Sequence, residues 1–226
     1  RPHALRALQV LSAEATNKAA MWSDADGLRC VLLEAASTVD GGHGGEAQLC
    51  AARIWKNLAT EPDIREPMCA DLEVRAALVS LAGGAHADGN VESVPEPQAH
   101  EVDRHIAAKI RAAALGALMN LCCVAANKEA MWSDVGVRSA ILDAATLPDA
   151  QSATGAVLEA YVHAVAMLRH LARHGNEQDE RPEPPLWKDC EAARNALTVA
   201  SELEGAEHQR ARQLAVAALG FAAAAA

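Results

Sequence analysis

Two stretches of eight residues, Asn17–Asp24 and Asn127–Asp134, are identical at seven positions and stand 110 residues apart (17 and 127). The match runs backwards, with Leu8 and Leu11 facing Leu118 and Leu121 at the same offset. Forwards, Gly27-Leu28-Arg29 and Leu33 to Ala36 echo Gly136-Val137-Arg138 and Leu142 to Ala145, now at an offset of 109 (28 and 137). One residue is therefore inserted near Ala25. Self-similarity of this kind constrains a fold more than any composition does. A repeated module cannot bury its apolar face alone, so neighbouring modules must stack.

A more diverged copy lies between these two. Leu58, Met68, Asp71, Val74, Arg75 and Leu78 each precede Leu121, Met131, Asp134, Val137, Arg138 and Ile141 by 63 residues (68 and 131). A fourth copy, carried by Leu168, Leu171, Leu186, Trp187 and Asp189, fits once about five extra residues are allowed in its middle. A fifth begins at Arg210–Leu214 and runs out in Ala222–Ala226. The expected modules span about 4–38, 47–82, 104–146, 156–203 and 206–226.

Within a module the pattern is helical. Ile110, Ala114, Leu115, Leu118, Leu121 and Cys122 recur at steps of three and four, which places them on one helix face. The Asn-Lys-x-x-Met-Trp segment reads as a short second helix, and Val137, Ile141 and Leu142 mark a third. The glycine-rich run 41–45 reads as a turn or linker, and residues 83–103 and 175–185 as acidic loops. The composition agrees: 51% of residues are hydrophobic, only 3% are aromatic, and much of the apolar content is Ala, the best helix former.

A net charge of −10 argues against nucleic-acid and membrane-surface partners, since phosphate and anionic lipid repel it. The basic residues Arg53, Lys56, Arg104, Lys109 and Arg111 are interspersed with acids and read as a solvated mixed-charge face. Cys30, Cys50, Cys69, Cys122, Cys123 and Cys190 include no C-x-x-C pair. All but Cys190 sit in apolar helical context, so they read as reduced, buried small hydrophobes of a cytoplasmic compartment. No apolar run reaches the length of a membrane span. The chain begins at Arg1, as a fragment or processed product does.

The run Arg111–Cys122, followed by Asn127-Lys128-Glu129 and Gly136 to Leu142, resembles the armadillo repeat. The resemblance covers about residues 4–220 and implies an all-α, right-handed α-solenoid of four to five armadillo-like repeats. It further implies a concave groove, lined by the third helix of each module, that binds extended peptides or other proteins. Nuclear-import adaptors of that family carry a Trp four residues before an Asn on that helix. Here Asn57 and Asn120 are preceded by Arg53 and Gly116, the first module has Arg6 and Val10, and the fourth has Ala166 and His170. The Trp ladder is absent, which argues against nuclear-signal binding. Groove candidates are Arg6, Arg53, Asn57, Lys109, Asn120 and His170, whose donors suit a peptide backbone or acidic side chains.

The remaining polar and aromatic residues read as structural. Trp22, Trp132 and Trp187 recur at one module position, as packing residues do, while Trp55 is open between core and groove. Asp24, Asp71, Asp134 and Asp189 read as N-caps, and Asn17 and Asn127 as caps of the short helix. Arg29, Arg75 and Arg138 are placed to pair with an Asp of their own module or of a neighbour. His163, His170 and His174 share a helical face with no carboxylate or Cys to complete a metal site. Adjacent Cys122 and Cys123 point apart and make neither a metal nor a redox pair. No phosphate loop, nucleophile elbow or carboxylate cluster is present, so no cofactor, no metal and no catalysis are expected. The expected function is a non-enzymatic protein-interaction scaffold. The alternative is a fixed structural subunit of a large cytoskeletal or ciliary assembly, with an enzyme on a helical-repeat scaffold behind both.

Overall fold

The computed structural model describes residues 2–38, 44–83, 97–146, 150–172, 186–187 and 189–224. The described residues are all-α: twelve α-helices and no strand. α1 (Pro2–Ala13), α2 (Ala15–Ser23) and α3 (Cys30–Ser37) come first, then α4 (Gly44–Leu58), α5 (Pro62–Ala70) and α6 (Leu72–Gly83). α7 (Pro97–Cys122), α8 (Ala125–Ser133) and α9 (Val135–Ala145) repeat that order, and α10 (Gly155–Ala172), α11 (Glu191–Glu202) and α12 (Gln209–Ala224) follow. The second helices α2, α5 and α8 are each nine residues long. They begin at 15, 62 and 125, so their separations of 110 and 63 are those of the sequence copies.

The one-residue insertion has a structural counterpart. Between α2 and α3 the backbone makes a π-helical turn, Ala25–Arg29, which accommodates one residue more than the α-helical path. Asp24 consequently caps one residue further along than its counterparts. Its carboxylate accepts from Gly27 N (3.1 Å) and Leu28 N (3.2 Å). Asp71 accepts from Glu73 N and Val74 N (both 3.1 Å), and Asp134 from Gly136 N (2.9 Å) and Val137 N (3.2 Å). Three of the four expected Asp caps thus form. Asp189 makes none, because α11 starts after Cys190, which offers no capping side chain.

The repeated Asn has a different role from the expected one. α2 and α8 already begin two residues earlier, at Ala15 and Ala125. Asn17 Nδ2 instead donates to Leu11 O (3.1 Å), and Asn127 Nδ2 to Leu121 O (3.0 Å). Each adds a second donor to a carbonyl in the last turn of the preceding helix, beside the backbone N–H of Glu14 (3.2 Å) or Val124 (3.3 Å). In the middle module Arg65 serves the same end, donating Nε to Ala59 O and Nη2 to Thr60 O (both 2.9 Å). Arg75 and Arg138 likewise donate to Cys69 O (2.7 Å) and Trp132 O (3.0 Å). Arg29 reaches across to Asp71 of the next module at 2.8 Å, one of the two expected pairings.

The chain forms two compact units, Arg1–Ala117 and Leu118–Ala226, with the boundary inside α7. In the first, α1, α2 and α3 all pack on α4, and α3 and α5 also pack on α6. Leu32, Ile54, Trp55, Leu58, Met68 and Leu78 are fully buried there. In the second, α8 and α9 pack on α10, and α12 lies against α10 and α11 around Met131, Tyr161, Leu168 and Leu197.

Several sequence expectations change. Residues 97–103, read as loop, are the first turns of α7, opened by Pro97 at a position that suits proline's fixed φ and missing N–H. Gly44 and Gly45 begin α4 rather than extend a linker, and a Cβ on Gly45 would stand 3.0 Å from Ile106 Cγ2. In the fourth copy Leu186 and Trp187 lie in a turn, held by Trp187 Nε1–H donating to Leu168 O (2.8 Å). Trp55 is core, whereas Trp22 and Trp132 are half-buried, and the Arg138 guanidinium lies 5.8 Å from the Trp132 ring centre. Cys30 and Cys123 are exposed, not buried. Cys30 sits between buried Leu28 and Leu32 in sequence, and at about 100° per residue its side chain points away from theirs. His174, 41–43, 84–96 and 175–185 lie outside the described residues.

Candidate functional site

The groove candidates all fall on the first helix of a module, not on the third: α1, α4, α7 or α10. Arg6, Arg53 and Asn57 are brought to the α1–α4 pair. Arg6 is exposed and its Nη2 donates to Glu46 Oε1 across the seam at 2.7 Å. Arg53 is half-buried one turn before Asn57. Asn57 Nδ2 donates to Ser12 Oγ (2.9 Å), and that hydroxyl, fully buried, donates to Gln9 O (2.7 Å). Asn57 is thus partly committed to holding α1 against α4, leaving its amide oxygen as the group to offer a ligand. Beneath them, burial pushes the Cys50 thiol pKa up, although Arg6 and Arg53 pull it down.

Lys109 and Asn120 are both half-buried on α7. His170, on α10, is half-buried, and its pKa is lowered to about 4 by burial first, then by Arg169 and Lys128. At neutral pH it is an uncharged imidazole. Its Nε2 lies 3.5 Å from Cys123 Sγ.

The Cys123–His170 contact was not foreseen. Considered as a pair, Cys122 and Cys123 do point apart: Cys122 is buried beside Met167 O, and Cys123 faces out. A signal was present in the module register. Asn57 meets Ser12 near the end of the preceding first helix, and His170, at the corresponding position, meets Cys123, which follows the end of α7.

Chemically, these faces offer guanidinium, amide and neutral imidazole groups at half-buried positions. They suit hydrogen bonding to an extended backbone and charge-assisted binding of carboxylates. Among the described residues, no group of three or more His, Cys, Asp or Glu is placed to hold a metal ion, and no helix is long and apolar enough to cross a membrane. His163, read as sharing a face with His170, is buried. No family model, curated protein or solved structure matches the chain.

Proposed function

We propose that this chain is a non-enzymatic interaction scaffold of the armadillo-like solenoid kind, which holds an extended acidic peptide of a partner protein on the α1–α4 face. The observation that carries this reading is the placement of Arg53 beside Asn57 at half-buried positions of one helix pair. A half-buried guanidinium is less screened than a fully exposed one and binds carboxylate with two parallel donors. Asn57 supplies the amide oxygen that a peptide N–H requires, while its own N–H remains on Ser12. The Arg6–Glu46 pair is exposed on both sides, so it opens at little cost when a competing carboxylate arrives. The six free thiols fit a reducing, cytoplasmic compartment.

Affinity capture from extract, with the wild-type chain, Arg53→Glu and Asn57→Ala compared by quantitative mass spectrometry, tests the reading. A partner retained by wild type should fall roughly tenfold with Arg53→Glu, as expected for loss of one charge-assisted contact. Equal recovery by all three chains, or no recovered partner, rejects it.

A further inference from the structure

Two contacts between first helices stand at corresponding places in the two compact units and differ in chemistry. In the first unit Asn57 Nδ2 donates to Ser12 Oγ at 2.9 Å, and Ser12 is fully buried. In the second, His170 Nε2 lies 3.5 Å from Cys123 Sγ, and Cys123 is exposed. An amide and a hydroxyl are enough to tie two helices together. The second unit has an imidazole and a solvent-facing thiol instead, a nucleophile where a tie needs none.

The surroundings of Sγ supply a partner for either protonation state. As a thiol, Cys123 donates to Met119 O at 3.4 Å, one turn back along α7. As a thiolate, it accepts from His170 Nε2–H in the tautomer that carries its proton there. Burial first, then Arg169 and Lys128, keep that ring neutral at neutral pH. The field of those two cations, which disfavours positive charge on the ring, favours negative charge beside it. We propose that Cys123 is a site of reversible S-thiolation, where an exposed thiol supported as thiolate by His170 exchanges with a low-molecular-weight disulfide. In the step the thiol proton passes to solvent and Sγ attacks one sulfur of the disulfide. The new S–S bond forms as the old one breaks, and the displaced sulfur leaves reduced, taking up a proton to become a free thiol. The adjacent Cys122 is buried beside Met167 O, so it does not resolve the mixed disulfide, which lasts until a second small thiol removes it. The site lies wholly in the second unit, whereas Arg53 and Asn57 lie in the first, so the inference is independent of the peptide-binding reading.

Glutathione disulfide at pH 7, with each cysteine followed by mass spectrometry on the intact chain, tests the proposal. Cys30, the other exposed thiol, is the internal reference. A tenfold rise in thiolate is partly offset by the weaker nucleophilicity of a more stable thiolate, so Cys123 should react roughly threefold to tenfold faster than Cys30. His170→Leu should bring the Cys123 rate to within about twofold of that of Cys30. The same variant should lower the ultraviolet thiolate absorbance, obtained as the difference between each chain and its Cys123→Ser counterpart. A purely structural role for His170 would leave that absorbance unchanged. Continued protection of the buried Cys50, Cys69 and Cys122 from modification shows that a variant is folded. If His170→Leu exposes them, Arg169→Gln takes its place and should slow Cys123 about twofold while leaving Cys30 unchanged. The proposal is overturned if wild-type Cys123 reacts no faster than Cys30, or if its rate and thiolate absorbance are unaltered in the folded variant. Neither readout depends on Arg53 or Asn57, so failure here leaves the groove reading to its own experiment.

Discussion

His170 shows how far a single side chain departs from its type once it is packed. The unfolded chain holds an imidazole near the ordinary value of 6.5, while in the folded chain burial, Arg169 and Lys128 lower it to about 4. Above pH 6.5 the ring is neutral in both states and adds no pH dependence. As pH falls from 6.5 toward 4 the unfolded state takes up the proton first, so folding stability drops across that window. At pH 5 the loss from this residue is on the order of 2 kcal/mol relative to pH 7. Urea unfolding of wild type and His170→Asn at both values should show the pH difference shrink by about that amount in the variant. A second residue-scale contrast is offered by the two Asn residues that close first helices. Asn127 is buried and Asn17 half-exposed, although they make the same bond. Asn127→Ala removes one of two donors from the buried Leu121 carbonyl, which keeps its bond from Val124 N–H (3.3 Å), and should cost about 1–1.5 kcal/mol. Asn17→Ala lets water replace the amide and should cost under about 1 kcal/mol. Equal losses in denaturant titration would show that burial does not set the difference.

At the scale of elements, the π-helical turn before α3 and its Asp24 cap form one device. Gly27 is held under the Asp24 carboxylate so closely that a Cβ there would stand 2.5 Å from Oδ2. Gly27→Ala must therefore displace the cap, at a cost of about 1 kcal/mol. In an Asp24→Ala background the cap is already gone, and the same substitution should be neutral or stabilising by up to about 1 kcal/mol, because Ala is the better helix former. A double-mutant cycle on thermal unfolding measures the difference. Asp71 offers a companion case, since it caps α6 and also receives Arg29 at 2.8 Å. Asp71→Asn keeps a capping oxygen and loses only the charge pair, so it should cost about half of what Asp71→Ala costs, the latter about 1–2 kcal/mol. Equal losses for the two variants would mean that the ion pair, not the cap, carries the residue's contribution.

For the whole molecule, the two compact units meet within α7, and each has its own buried set. Where each unit holds its own buried set, destabilisation stays local. Leu78→Ala in the first unit and Leu197→Ala in the second should each cost about 2–4 kcal/mol. Hydrogen exchange resolved by segment should show the larger loss of protection in the unit that carries the substitution. Uniform loss along the entire chain would instead mark a single cooperative core.

The repeat itself was legible because identical local chemistry recurs at fixed offsets. The helix periodicity, the nine-residue second helices, the Asp24, Asp71 and Asp134 caps and the inserted residue near Ala25 are all local, set by contacts within a few positions. Sequence reasoning failed where a partner lies many residues away. That Trp55 is core while Trp132 is half-buried, and that Cys123 faces His170, depend on which helix packs beside which. The exposure of Ala4, Ala7 and Leu11 on α1, where Ala51, Ile54 and Leu58 of α4 are buried, belongs to the same class. Ala4, Ala7 and Leu11 match their buried counterparts in register and apolar character, and only the packing of neighbours separates a covered face from an open one, since burial is a property of what lies across the gap and not of the residue that lines it.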